Sequence, residues 1–170
     1  MKMNDSELIS KFSNIYIMLL YSVMTNDIKR VKHFISDELY NKYKNIVDNH
    51  INNNETQMYD ELNVYKINIE SKEIVSNREI IKVKLISRYM DYIVDNKTKK
   101  IKAGVNTCRI EKTNYLVFER NINGLNNDLV YTCPNCGANL DINYNGICSY
   151  CKQNINLKDE DYILTSIEII

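Results

Sequence analysis

The chain has almost none of the features that would assign it quickly. Its net charge is zero, with 22 basic and 22 acidic residues over 170, so the basic footprint of a general nucleic-acid binder is missing. Its most apolar run, IYIMLLYSVMT at residues 15–25, is roughly half the length that a bilayer span requires. The first residues, MKMNDSELISK, carry acids and polar side chains where a secretory signal would need a basic start and an apolar centre. There is one proline, and there are four glycines. These absences predict a cytoplasmic protein with one proper core and a small appendage.

Cysteine is sparse but concentrated. Of five cysteines, four lie in CPNCGANLDINYNGICSYC as two Cys-x-x-Cys pairs separated by eleven residues, in a segment that also holds the proline and two of the glycines. A Cys-x-x-Cys turn points both sulfurs to one side, and two such turns facing each other make a tetrahedral thiolate set. Cys133, Cys136, Cys148 and Cys151 are therefore the predicted ligands of one structural Zn2+, the ion that suits soft ligands without a redox demand. Asn145 and Gly146 mark the turn between the knuckles. The rivals are two disulfides, an iron–sulfur cluster and a thioredoxin-like pair; the first conflicts with a reducing compartment, and the last would need a strand-then-helix context that CPNCGANLDI lacks. With four protein ligands no coordination position is left for substrate, so the metal is expected to hold a fold. Residues 128–161 carry five acids against two lysines, a net of −3, which makes phosphate attraction by this module implausible.

Ahead of the cysteines, periodicity predicts an α+β domain. Residues 4–26 read as a helix with stripes of Leu8, Phe12, Ile15, Leu19 and of Ile9, Tyr16, Leu20, Val23, apolar enough on all sides to be buried. A short helix over 27–35 follows. A further helix opens at Ser36 or Asp37 as N-cap, with Leu39, Tyr43, Ile46, Val47 and His50 on one side. Alternation then takes over: Tyr65, Ile67 and Ile69 on one strand face, Ile81, Val83 and Leu85 on the next, with a phase slip at Ile86 that implies a bulge before Tyr92 and Val94. DNKTKKIKAG is a hairpin tip, TCRIEKTNYLVFER a return strand, and the sheet is expected to wrap the first helix. The organisation expected is a domain over 1–121, a linker over 122–128, a ribbon over 129–160 and a strand over 161–170. That last strand, YILTSIEII, needs a partner, the ribbon or the main sheet, with Ile163, Ile167 and Ile169 facing it.

In order, YSVMTNDIKRVKHFISDELYNKYK, SRYMDYIVDNKTKKIKAG, NYLVFER and the ribbon followed by DYILTSI make the chain resemble a bacterial Tim forty-four-like protein, a relative of the mitochondrial inner-membrane import subunit. The resemblance implies a cone-shaped fold of the nuclear-transport-factor-two (cystatin-like) type and a non-enzymatic role in protein contact or membrane association. Relatives often carry a transmembrane or glycine-rich segment before the domain, which this sequence does not show. They also tend to have Gly where Lys152 stands, so the second knuckle is expected to be mildly strained.

The remaining candidates have plain readings. Cys108 is expected to be a small buried hydrophobe in a strand. His33 and His50 are expected at a core edge or on the surface, without an acid arranged around them. Lys97, Lys99, Lys100 and Lys102 either protect the sheet edge or touch anionic lipid weakly, and Lys29, Arg30 and Lys32 form a lesser patch. The function these features imply is a non-catalytic binding or adaptor module with an unidentified protein partner. The alternative is a small-molecule-binding protein or enzyme using a cone pocket lined by Asp91, Tyr89, Tyr92 and Tyr115.

Overall fold

The computed structural model describes residues 3–122, 131–132, 136–140, 148–153 and 161–170. Helix α1 spans Asp5–Met24. It starts with a reciprocal cap: the Glu7 amide donates to Asn4 Oδ1 at 2.9 Å, and the Asn4 amide donates to Glu7 Oε2 at 2.8 Å, which satisfies two of the donors that a helix start leaves open. A single 3-10 turn, Ile28–Val31, replaces the expected short helix. Helix α2, Asp37–Asn52, is capped by Ser36, whose Oγ accepts from the Leu39 amide. Leu39, Tyr43 and Val47 form its buried stripe.

Three long strands follow, β1 (Glu55–Val75), β2 (Arg78–Asp95) and β3 (Ile101–Asn121), then two short ones, β4 (Tyr131–Thr132) and β5 (Asn139–Leu140), and finally β6 (Ile163–Ile169). The main sheet runs β1-β2-β3-β6 with every pair antiparallel, while β4 and β5 pair with each other. Helices on one face of a curved antiparallel sheet make an α+β cone of the expected type. Its curvature comes from bulges, which add twist and bend where one strand carries extra residues. The largest lies between β2 and β3, where Tyr89 pairs with Ile110 but Asp91 pairs with Val105. Gly104 makes the close crossing just beyond it: its φ is +78°, and a Cβ there would come within 2.2 Å of the Asp91 carbonyl oxygen.

These bulges correct three expectations. The β2 phase does not slip at Ile86: Ile81, Val83, Leu85, Ser87 and Tyr89 are all buried, and the parity changes only before Tyr92. A serine at a core position hid this. Tyr65 does not share the face of Ile67 and Ile69, because the β1 register shifts between Val64 and Lys66; it is 56% exposed, with the Arg88 guanidinium 3.6 Å from its ring centroid. Cys108 lies in the β3 segment that the main bulge pushes out of pairing, and it is exposed, not buried.

The core forms where α1 crosses the sheet. Phe12 stacks on Phe118 with centroids 3.9 Å apart, and Tyr162 meets Phe12 edge-on at 5.4 Å. Burying side chains of this size stabilises by about 1.5–3 kcal/mol each, which explains why α1, apolar but unable to span a membrane, docks here. The C-terminal segment contributes to the same core: β6 pairs with β3, and its Leu164 amide donates to the Phe34 carbonyl at 2.9 Å. A shift opposite Val117 and Phe118 makes Leu164 and Ile167 the inward residues; Ile163 is half-buried and Ile169 is 44% exposed.

Candidate metal centre, cone mouth and lysine-rich tip

The knuckles are built by backbone turns. Gly137, just after Cys136, has φ +71°, and Lys152, just after Cys151, has φ +60°. The two thus share one left-handed geometry, which a glycine adopts freely and a lysine adopts at a cost. In the second knuckle the Lys152 amide donates to the Cys148 carbonyl at 2.9 Å, and the Cys148 amide donates to the Gln153 carbonyl at 3.0 Å. The sulfurs of Cys136, Cys148 and Cys151 lie within 4.8 Å of one another, and those of Cys136 and Cys148 are 3.8 Å apart. For metal–sulfur bonds of about 2.3 Å at tetrahedral angles, the sulfur–sulfur edge is about 3.8 Å. The three thiols therefore fit one ion. Cys133, the fourth expected ligand, lies outside the described residues, as do Asn145, Gly146 and the linker beyond Ile122.

At the cone mouth the structure gathers three of the four proposed pocket residues and engages each with a neighbour. Tyr89 packs edge-on against Tyr59 with centroids 5.2 Å apart. The Tyr92 hydroxyl donates to Asp60 Oδ2 at 3.3 Å, and Asp91 Oδ1 accepts from Gln57 Nε2 at 2.7 Å. Tyr115 does not join them. Its strand neighbour Leu116 points inward, so Tyr115 faces out, 38% exposed, beside Lys84. Burial pushes the phenol pKa values of Tyr59 and Tyr89 upward and those of Tyr16 and Tyr43 to about 12. All four stay protonated at neutral pH and offer no base.

Two polar clusters went unrecognised in the sequence. Inside the core, the Tyr16 hydroxyl lies 2.7 Å from Ser87 Oγ and donates to Asn114 Oδ1 at 3.3 Å, while the Asn114 amide group donates to the Leu85 carbonyl at 3.2 Å. This network fixes α1 against β2 and β3 with its polar atoms paired, which a core requires. Where β6 begins, Glu79 Oε2 accepts from Arg120 Nε at 2.7 Å and from the Tyr162 hydroxyl at 2.8 Å, and Lys11 pairs with Asp161. The only sequence signal was polar residues at core parity in strands.

Lys97, Lys99 and Lys100 are exposed on the β2–β3 turn, which Asp95 organises by accepting from the amides of Thr98 at 2.7 Å and Lys97 at 2.9 Å. The Thr98 amide foremost holds the Asp95 carboxyl below its ordinary range. Lys102 differs from the other three. It sits at a second bulge and pairs with Glu55, whose other oxygen lies 3.0 Å from His50 Nδ1. Lys102, first, and His50 lower the Glu55 pKa. His50 thus does have an acid beside it, brought from β1 by the chain reversal after α2. His33 is exposed, as are Lys29, Arg30 and Lys32, with Arg30 paired to Asp27 at 2.9 Å.

No helix among the described residues is long and apolar enough to cross a membrane. No curated protein sequence matches the chain. Among solved structures, the intermembrane-space region of the chloroplast protein ARC6 is similar over 100% of this chain and 98% of its own, at 6% identity and a TM-score of 0.49. A family model described as the Tim44-like domain matches residues 2–131, spanning both helices and the three long strands. The chain belongs to the Tim44-like domain family.

Proposed function

We propose that the chain is a non-catalytic, cytoplasmic binding or adaptor module that meets a protein partner. One structural Zn2+ is held by Cys133, Cys136, Cys148 and Cys151. The observation that carries this reading is the packing of the cone: Phe12, Tyr16, Leu19, Leu85, Leu116, Phe118 and Leu164 are each at most 1% exposed, and the acids at its mouth are engaged by neighbours. A substrate entering between these side chains would have to displace them. The family's place among contact modules and the acidic ribbon point the same way, toward protein partners and away from nucleic acid. Lys97, Lys99 and Lys100 supply weak peripheral contact with an anionic membrane, each worth about 1 kcal/mol at such a surface.

Flotation with phosphatidylglycerol vesicles tests the membrane part. Changing the three lysines to Gln should lower partitioning by about a hundredfold at low salt, and physiological salt should weaken the wild type as well. Tight, salt-insensitive binding would overturn it. A thermal-shift screen of small metabolites tests the non-catalytic part, because any ligand that binds only the folded state raises Tm. A metabolite that does so and is turned over would put the cone-pocket enzyme first.

A further inference from the structure

The cysteine cluster is asymmetric in a way that structural zinc does not require. Cys136 is exposed, Cys151 is intermediate, and Cys148 is fully buried. The exposed and the buried cysteine belong to different knuckles, and their sulfurs lie 3.8 Å apart. Nothing stands within 4 Å of where a Cβ on the adjoining Gly137 would be, so the first knuckle is open on that side. We propose that Cys136 is a peroxide-responsive thiolate and Cys148 its resolving partner, so that oxidation joins the two knuckles by a disulfide and expels the metal. The inference rests on the zinc reading.

The chemistry balances with hydrogen peroxide as the oxidant. A metal-bound thiol is already deprotonated, so Cys136 Sγ is a nucleophile without a nearby base. Its lone pair attacks one peroxide oxygen, the O–O bond breaks, and Cys136 becomes a sulfenic acid as hydroxide leaves. Cys148 Sγ then attacks Cys136 Sγ, the S–S bond forms, and the second hydroxide leaves. Two thiolates have lost two electrons, and the peroxide leaves as two hydroxides, which the buffer protonates to two waters. Exposure makes Cys136 the first attacker, since peroxide reaches it before a buried sulfur. Proximity makes Cys148 the second, since its sulfur need close only from 3.8 Å to about 2.05 Å. Two ligands are then lost to the metal, and the remaining pair holds it poorly.

Cys108 is also exposed but lies outside the cluster, so a Cys108→Ser protein removes its side reactions without touching the pair. That protein, purified with its zinc and titrated with hydrogen peroxide, should release about one zinc for each peroxide consumed. Peptide mass spectrometry should show a Cys136–Cys148 link, and a reducing thiol should reverse both changes. A link within one knuckle, Cys133–Cys136 or Cys148–Cys151, would overturn the pairing, as would zinc retained at severalfold excess peroxide. If the protein holds no zinc as purified, the zinc reading fails, and the mapped disulfide still decides the pair.

Discussion

The cone and the cysteine segment differ in what each is built from. The cone holds itself by area: α1, α2 and the four-stranded sheet share one core of large side chains, within which Tyr16, Ser87 and Asn114 pair their polar atoms. In the cysteine segment the described residues form two-residue strands and a cluster of three thiols. They also differ in connection. The chain leaves the sheet after β3 and re-enters it as β6, so the ribbon is inserted between two strands paired to each other. Each module should therefore fail alone.

The largest effect expected is metal removal. Cys148→Ser or a strong chelator should abolish the one-zinc stoichiometry and with it most of the ribbon's folding free energy, on the order of 10 kcal/mol for a structural zinc site. The cone should keep its Tm to within a few degrees. Elemental analysis with hydrogen exchange reads both, and fast exchange spreading into β2 and β3 would show that the two regions are one cooperative unit.

Alkaline pH should break the cone and spare the distinction. Burial raises the Tyr16 and Tyr43 pKa values to about 12, above an unfolded value of about 10. The stabilisation is fully present below the unfolded value and is lost as pH rises through the folded one. A two-unit shift corresponds to about 3 kcal/mol for one phenol, and the two are not additive because Tyr16 is itself one cause of the Tyr43 shift. Phenolate absorbance should show the Tyr16 and Tyr43 phenols delayed until unfolding; one smooth titration of all phenols would refute this.

The smallest effect separates the knuckles. Lys152 occupies the left-handed geometry that Gly137 occupies freely, so Lys152→Gly should stabilise the ribbon by about 1 kcal/mol. Competition with a metal chelator should show roughly fivefold tighter zinc. Unchanged or weaker binding would mean that the lysine side chain contributes more than its backbone costs.

Local chemistry alone determined much of this. The capped start of α2 and the thiolate turns each depend on a few neighbouring residues, so spacing suffices to read them. So does the need of YILTSIEII for a partner, because an apolar strand cannot stay solvated. Tertiary structure decided which partner it takes, and which residues face inward. Bulges set parity at Tyr65, Cys108 and Leu164 through pairing with distant strands. Ser87 and Asn114 are core residues only because Tyr16 arrives from another element to satisfy them. Glu55 draws Lys102 and His50 together only after the chain has folded back. A periodic pattern reports the faces of one element, whereas register, bulges and buried polar pairs are properties of two or more elements in contact.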